Sequence, residues 1–163
     1  RGVFILFPDL NSQEIQLLTS FNMLTPENKR EVLDYLKYVS GKQYRSEIYS
    51  QVLNNPLLHN GLMQALRMCE REDTGLEEIN HKISQLKYMY YNLLEKTNNK
   101  YEESFQESRV DDLVKDWACI GFENVLDAVH SRRKDVMARE LEEMIEGLIK
   151  LTKKDGKRRI IAV

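Results

Sequence analysis

Apolar residues fall along most of this chain at the three- and four-residue steps of an α-helix. Leu76, Ile79, Ile83, Leu86, Tyr90 and Leu93 lie on one helical seam, and the stretch from Leu76 to Ile120 holds no glycine or proline. A second seam follows at Met137, Leu141, Met144, Leu148 and Leu151. Two seams of the same kind are natural packing partners. The first lasts only about two and a half heptads, short of a secure coiled coil. Met89 and Leu94 also widen its stripe, which predicts a helix inside a globular bundle.

Caps and breakers place the other elements. Asn11 and Glu14 have the spacing of a capping box, ahead of an apolar face at Ile15, Leu18, Phe21 and Leu24. Thr25 and Pro26 start a helix expected to bury Val32, Leu33, Leu36 and Val39 and to stop near Gly41. Tyr44, Ile48 and Val52 suggest a short third helix ending before Asn54, and Pro56 opens a fourth with Leu58, Leu62, Leu66 and Cys69 on one side. Thr74 with Glu77 resembles a second capping box, starting a long helix that runs toward Gln106 with a break near Ser108. Val110, Leu113, Val114 and Trp117 mark a sixth helix closed by Gly121, Val125, Leu126 and Val129 a seventh, and Asp135 begins the last. Val3 to Phe7, stopped by Pro8, and the segment Ile160, Ile161 and Val163 are β-prone. The expected fold is all-α: a multi-helix bundle of about seven or eight helices with short extended arms at both termini. Residues 1–10 form the N-terminal arm, 11–155 one helical domain, and 156–163 a basic, β-prone tail.

Composition changes this picture little. The chain has 163 residues, enough for one domain with a core of its own, and its 42% hydrophobic and 31% charged residues are those of an ordinary globular protein. A formal charge of −2 is too small for long-range steering toward nucleic acid or membrane. Cys69 and Cys119 are isolated and in apolar helical surroundings, so buried free thiols are expected, in keeping with a reducing cytoplasm. The apolar run Val3 to Phe7 is too short for a signal peptide or a membrane span. A chain beginning at Arg1 is expected to be a processed product or a piece of something longer.

Candidate chemistry is sparse. His59, His81 and His130 stand at no metal-site spacing, no G-x-S-x-G elbow occurs, and no glycine-rich phosphate loop is present. The acidic runs Glu70, Glu72, Asp73 and Glu140, Glu142, Glu143, Glu146 read as solvated helix faces. No catalytic, cofactor-binding or metal site is assigned, and no enzymatic activity is expected. Arg132, Arg133 and Lys134, and farther on Lys157, Arg158 and Arg159, form a candidate basic patch able to neutralise phosphates. Without interleaved aromatic residues they fit better as cations complementing helix C-termini. Tyr88, Tyr90, Tyr91 and Trp117 would line any small-molecule pocket between helices.

One segment points to a family. From Leu17 to Gln43, the residues Leu17, Leu18, Phe21 and Leu24, the cap Thr25-Pro26-Glu27-Asn28-Lys29, and then Val32, Leu33, Tyr35 and Leu36 follow one another in order. This segment resembles the stretch after the DNA-binding domain in bacterial and phage helix-turn-helix repressors of the xenobiotic-response-element type. The resemblance implies a regulatory and oligomerisation domain of a cytoplasmic transcription regulator, with DNA contacted only through a module outside these residues. A homo-oligomer, first of all a dimer, is then expected, with Leu76, Ile79, Ile83, Leu86, Met137, Leu141, Met144 and Leu148 in packing or self-association roles. The competing readings are a stand-alone helical adaptor that binds a protein partner through an apolar groove, and a small-molecule sensor.

Overall fold

The computed structural model describes residues 9–102 and 112–160, with side chains described as far as Lys153. It is all-helical among these residues: six α-helices and one π-helical segment, with no strand. The helices are α1 (Ser12–Asn22), α2 (Pro26–Glu47), α3 (Pro56–Glu70), α4 (Leu76–Glu102), α5 (Asp112–His130) and α6 (Lys134–Ile160), with the π-helical segment at Ile48–Leu53. The expected seven or eight helices are reduced because two glycines do not act as stops. Gly41 lies inside α2 and Gly121 inside α5. A helical glycine costs about 1 kcal/mol, less than is gained by burying the apolar residues beyond it.

The caps behave unevenly. The Asn11 side chain accepts from the backbone N–H of Gln13 and Glu14, and Glu14 returns the bond to Asn11, completing the expected box. Thr25 Oγ1 accepts from the Asn28 N–H at 3.3 Å, and Asn55 caps α3 ahead of Pro56. At α4 the helix begins one residue after Gly75, and Thr74 instead gives its carbonyl oxygen to Lys134. The end of α5 is set by Arg132, which takes a left-handed φ of 55°. Arg132 N–H donates to the Val129 carbonyl and Arg133 N–H to the Ala128 carbonyl, the two bonds of a Schellman stop.

The expected β-prone tail differs in its first part: α6 continues through Gly156 to Ile160. Lysine and arginine are good helix formers, so a helix already under way propagates through them. Residues 1–8 of the expected N-terminal arm, the expected break near Ser108 and residues 161–163 lie outside the described residues.

By its internal contacts the chain divides into two compact units, Arg1–Ser40 and Gly41–Val163. The second unit holds all the buried residues among those described. Its helices close a ring in which α3 packs on α4, α4 on α5, α5 on α6 and α6 back on α3. Gly61 of α3 meets Leu86 of α4, Gly121 of α5 meets Met144 of α6, and Lys134 at the start of α6 bonds the end of α3. These pairings make neighbours antiparallel, as in an up-down-up-down four-helix bundle. The two seams are therefore diagonal, each packed mainly on α3 and α5, and not the direct partners their likeness suggests. The π-helical segment packs on α4 and α6. Its wider turn, closed by the Asn54 N–H to the Tyr49 carbonyl, buries Ile48, Val52 and Leu53 together.

Candidate functional site

The seam residues lie inside this bundle. Ile79, Ile83, Leu86, Met137, Leu141, Met144 and Leu148 are all buried, and Leu76 is half-buried against them. Of their two expected roles, each is engaged in packing within one chain. Tyr90 is fully buried, with its ring edge-on to Trp117 at 5.6 Å and near Phe122 at 6.1 Å. Its hydroxyl has no hydrogen-bond partner among the described residues. Burial pushes the Tyr90 phenol well above its ordinary value, since the anion has no water to stabilise it.

The unburied apolar surface is elsewhere. In the first unit no described residue is buried. Leu33 and Leu36, which the pattern places in a core, are 47% and 42% exposed, and Val39, Ile15, Leu17, Leu18 and Met23 are also exposed. Within the unit, the Lys29 ammonium sits 5.7 Å from the Phe21 ring centre. Amphipathic spacing identifies the apolar face of a helix but does not say whether this chain covers it.

A groove of about 350 Å³ follows α5 and α6 on the outside of the second unit. One flank carries Leu113 and Ile120, 56% and 55% exposed, although the first had the spacing of a core residue. Trp117 forms the wall between them. Its indole N–H donates to the Met144 carbonyl at 2.8 Å, and its ring is further fixed by Tyr90 and Phe122. The groove depends on glycine: a Cβ at Gly147 would come 2.8 Å from Trp117 Cδ1. Among the described residues, Asp116, Glu140 and Glu143 line it together with one cation, Lys150. Glu140 accepts from Asn124 Nδ2 at 3.2 Å and from Arg139 at 3.3 Å, and Lys150 lies 3.8 Å from Glu146. Asp116 and Glu143 have no ion pair among the described residues. The sequence marks Trp117 and the acidic run but not their meeting, which depends on the antiparallel register of α5 on α6.

A polar clamp joins the end of α2 to α4. Lys100 Nζ donates to Glu47 at 2.8 and 3.0 Å, Tyr101 Oη donates to Glu47 Oε1 at 2.6 Å, and Tyr44 Oη donates to Asn98 Oδ1 at 2.5 Å. The bonds from Lys100 and then Tyr101 hold the Glu47 carboxyl below its ordinary range. Burial, and then the Glu47 carboxylate, push the Tyr101 phenol up to about 12. Every strong bond here has a partner inside the cluster, which is the mark of a structural fastening.

The candidate basic patch is divided. Lys134 Nζ donates to the carbonyls of Arg71 at 2.8 Å and Thr74 at 2.6 Å, and Arg133 pairs with Asp135 at 3.1 Å. Arg132 is exposed at the α5–α6 turn, while Lys157, Arg158 and Arg159 lie on the last turns of α6, beyond the described side chains. Cys69 is buried as expected, and burial raises its thiol pKa, but Cys119 is exposed. It sits beside Ile120 on the outer side of α5, where the bundle leaves the helix uncovered. His59 bonds the Leu53 carbonyl, His81 bonds Gln85, and His130 bonds the Leu126 carbonyl. No group of three or more potential ligands gathers at a metal-sized site among the described residues. No described helix is long and apolar enough to cross a membrane.

Comparison with protein-family models, with curated proteins and with solved structures finds no match to this chain.

Proposed function

We propose that this chain is a regulatory and self-association module of a cytoplasmic transcription regulator, and that two copies meet through α1 and α2. The observation that carries this reading is that none of the described residues of the first unit is buried, despite apolar positions at helical spacing on both helices. Covering a leucine gives roughly 1.5–3 kcal/mol over leaving it in water. A segment of this length with no core of its own needs such cover to hold one conformation. A second copy suits the face electrostatically. Along α2 from Pro26 to Ser40, Glu27, Glu31 and Asp34 are balanced by Lys29, Arg30 and Lys37, so two copies of this stretch approach without net repulsion. A two-fold axis would present the same patch from both chains.

The regulator setting comes from the resemblance of Leu17 to Gln43 to repressor sequences, and these residues make up most of the same two helices. DNA contact then belongs to a separate module, and the second unit is the body through which association is modulated. Sedimentation velocity across a dilution series tests the association, using the wild-type chain and the Leu33→Asp/Leu36→Asp variant. A concentration-dependent dimer that the double substitution converts to monomer, with helix content kept, is the expected result. A wild-type chain that stays strictly monomeric at high concentration overturns the reading.

A further inference from the structure

The geometry points to the α5–α6 groove as a binding site for a small apolar cation, an ammonium carried on an aromatic or aliphatic body. This inference rests on the second unit alone and stands apart from self-association through α1 and α2. At about 350 Å³ the groove falls in the size range of small-molecule pockets. Its apolar surface comes from Leu113, Ile120, Met144 and Leu151, with Trp117 as an aromatic wall. Trp117 is already held in place, by its bond to the Met144 carbonyl and by packing against Tyr90 and Phe122, so little order has to be imposed on binding.

Charge selects the sign of the ligand. The groove's own cation, Lys150, is answered by Glu146, and Glu140 is engaged by Asn124 and Arg139. Asp116 from α5 and Glu143 from α6 both line this apolar groove and have no counter-charge among the described residues. An ammonium group beside either carboxylate gains charge-assisted hydrogen bonds, while its apolar body lies along the indole. An anion would meet uncompensated like charge, and a neutral ligand would gain only the apolar contact.

Trp117 is the single tryptophan of the chain, so its emission reports this groove directly. The test titrates the full chain with phenylbutylammonium, phenylbutanol and phenylbutyrate while following Trp117 fluorescence. Saturable binding of the ammonium is expected, at least tenfold tighter than the alcohol, with no binding of the carboxylate. The Asp116→Asn/Glu143→Gln variant, altered only at exposed positions, should lose at least tenfold in ammonium affinity and keep its circular dichroism. Equal binding of all three probes, or ammonium binding unchanged in the variant, would reduce the groove to an unselective apolar patch and overturn the inference. No response to the ammonium also overturns it, including the case in which a basic amphipathic helix binds there instead.

Discussion

Replacing Gly61 by alanine should destabilise the chain, against the usual direction for a glycine inside a helix. Gly61 lies in α3 where it crosses α4, and an added Cβ would overlap Leu86 Cδ2 and sit 3.3 Å from Leu86 Cγ. Leu86 is only 4% exposed and is enclosed by the core, so its side chain has little room to swing away. The helical gain from glycine to alanine is about 1 kcal/mol. Overpacking a filled core costs about 1–3 kcal/mol, leaving a net loss of up to about 2 kcal/mol for Gly61→Ala. Leu86→Ala alone should cost about 2–5 kcal/mol through the cavity it leaves. In the Leu86→Ala background the obstruction is gone. Gly61→Ala should then recover its helical gain and stabilise by about 1 kcal/mol, a reversal of sign within one double-mutant cycle. Urea denaturation followed by Trp117 emission and far-ultraviolet circular dichroism measures all four proteins, with equal m-values required for the comparison. If Gly61→Ala stabilises in both backgrounds, α3 and α4 do not approach as closely as the structure places them.

Three other substitutions probe separate features. Tyr90→Phe removes a buried hydroxyl that has no partner among the described residues, so it should be neutral or stabilising by about 1 kcal/mol, and a loss above 2 kcal/mol on denaturation would mean a missing hydrogen bond. Arg132→Gly relieves a left-handed residue at the Schellman stop and should raise stability by about 0.5–1 kcal/mol in thermal unfolding; a clear loss would place the end of α5 elsewhere. Glu47 has a folded pKa below its unfolded value. Its contribution is therefore present at neutral pH and disappears as pH falls through the ordinary carboxylate range to the lowered one. Tyr101 has the opposite sign: its contribution is complete below 10.0, its ordinary value, and vanishes as pH rises toward about 12. Denaturation midpoints measured across pH should show both losses, with Glu47→Gln flattening the acid one. An acid limb unchanged by that substitution would remove Glu47 as its source.

The helical class of this chain was legible because its apolar residues keep steps of three and four and because Asn11 and Thr25 sit where caps are needed. Boundaries were less so. Gly41 and Gly121 look like stops, yet a helix passes through each, and α5 ends instead at an arginine. Glycine is favoured at a helix end but tolerated inside wherever the residues beyond it are buried, and burial depends on neighbours remote in sequence. The groove was half-legible for the same reason. Trp117 and Glu143 stand out separately, but only the register of α5 on α6, tightened by Gly147, brings them to one surface.

By itself the sequence determined that Ile79, Ile83, Leu33 and Leu36 each lie on the apolar side of a helix. Only the tertiary structure decided that the first two are sealed in a four-helix ring while the other two face water. Helical periodicity is a property of one backbone and names the face that gains from cover. What covers it is settled by which other faces come to lie against it. In the second unit the diagonal seams of α4 and α6 find α3 and α5, whereas Leu33 and Leu36 of α2 stay exposed among the described residues.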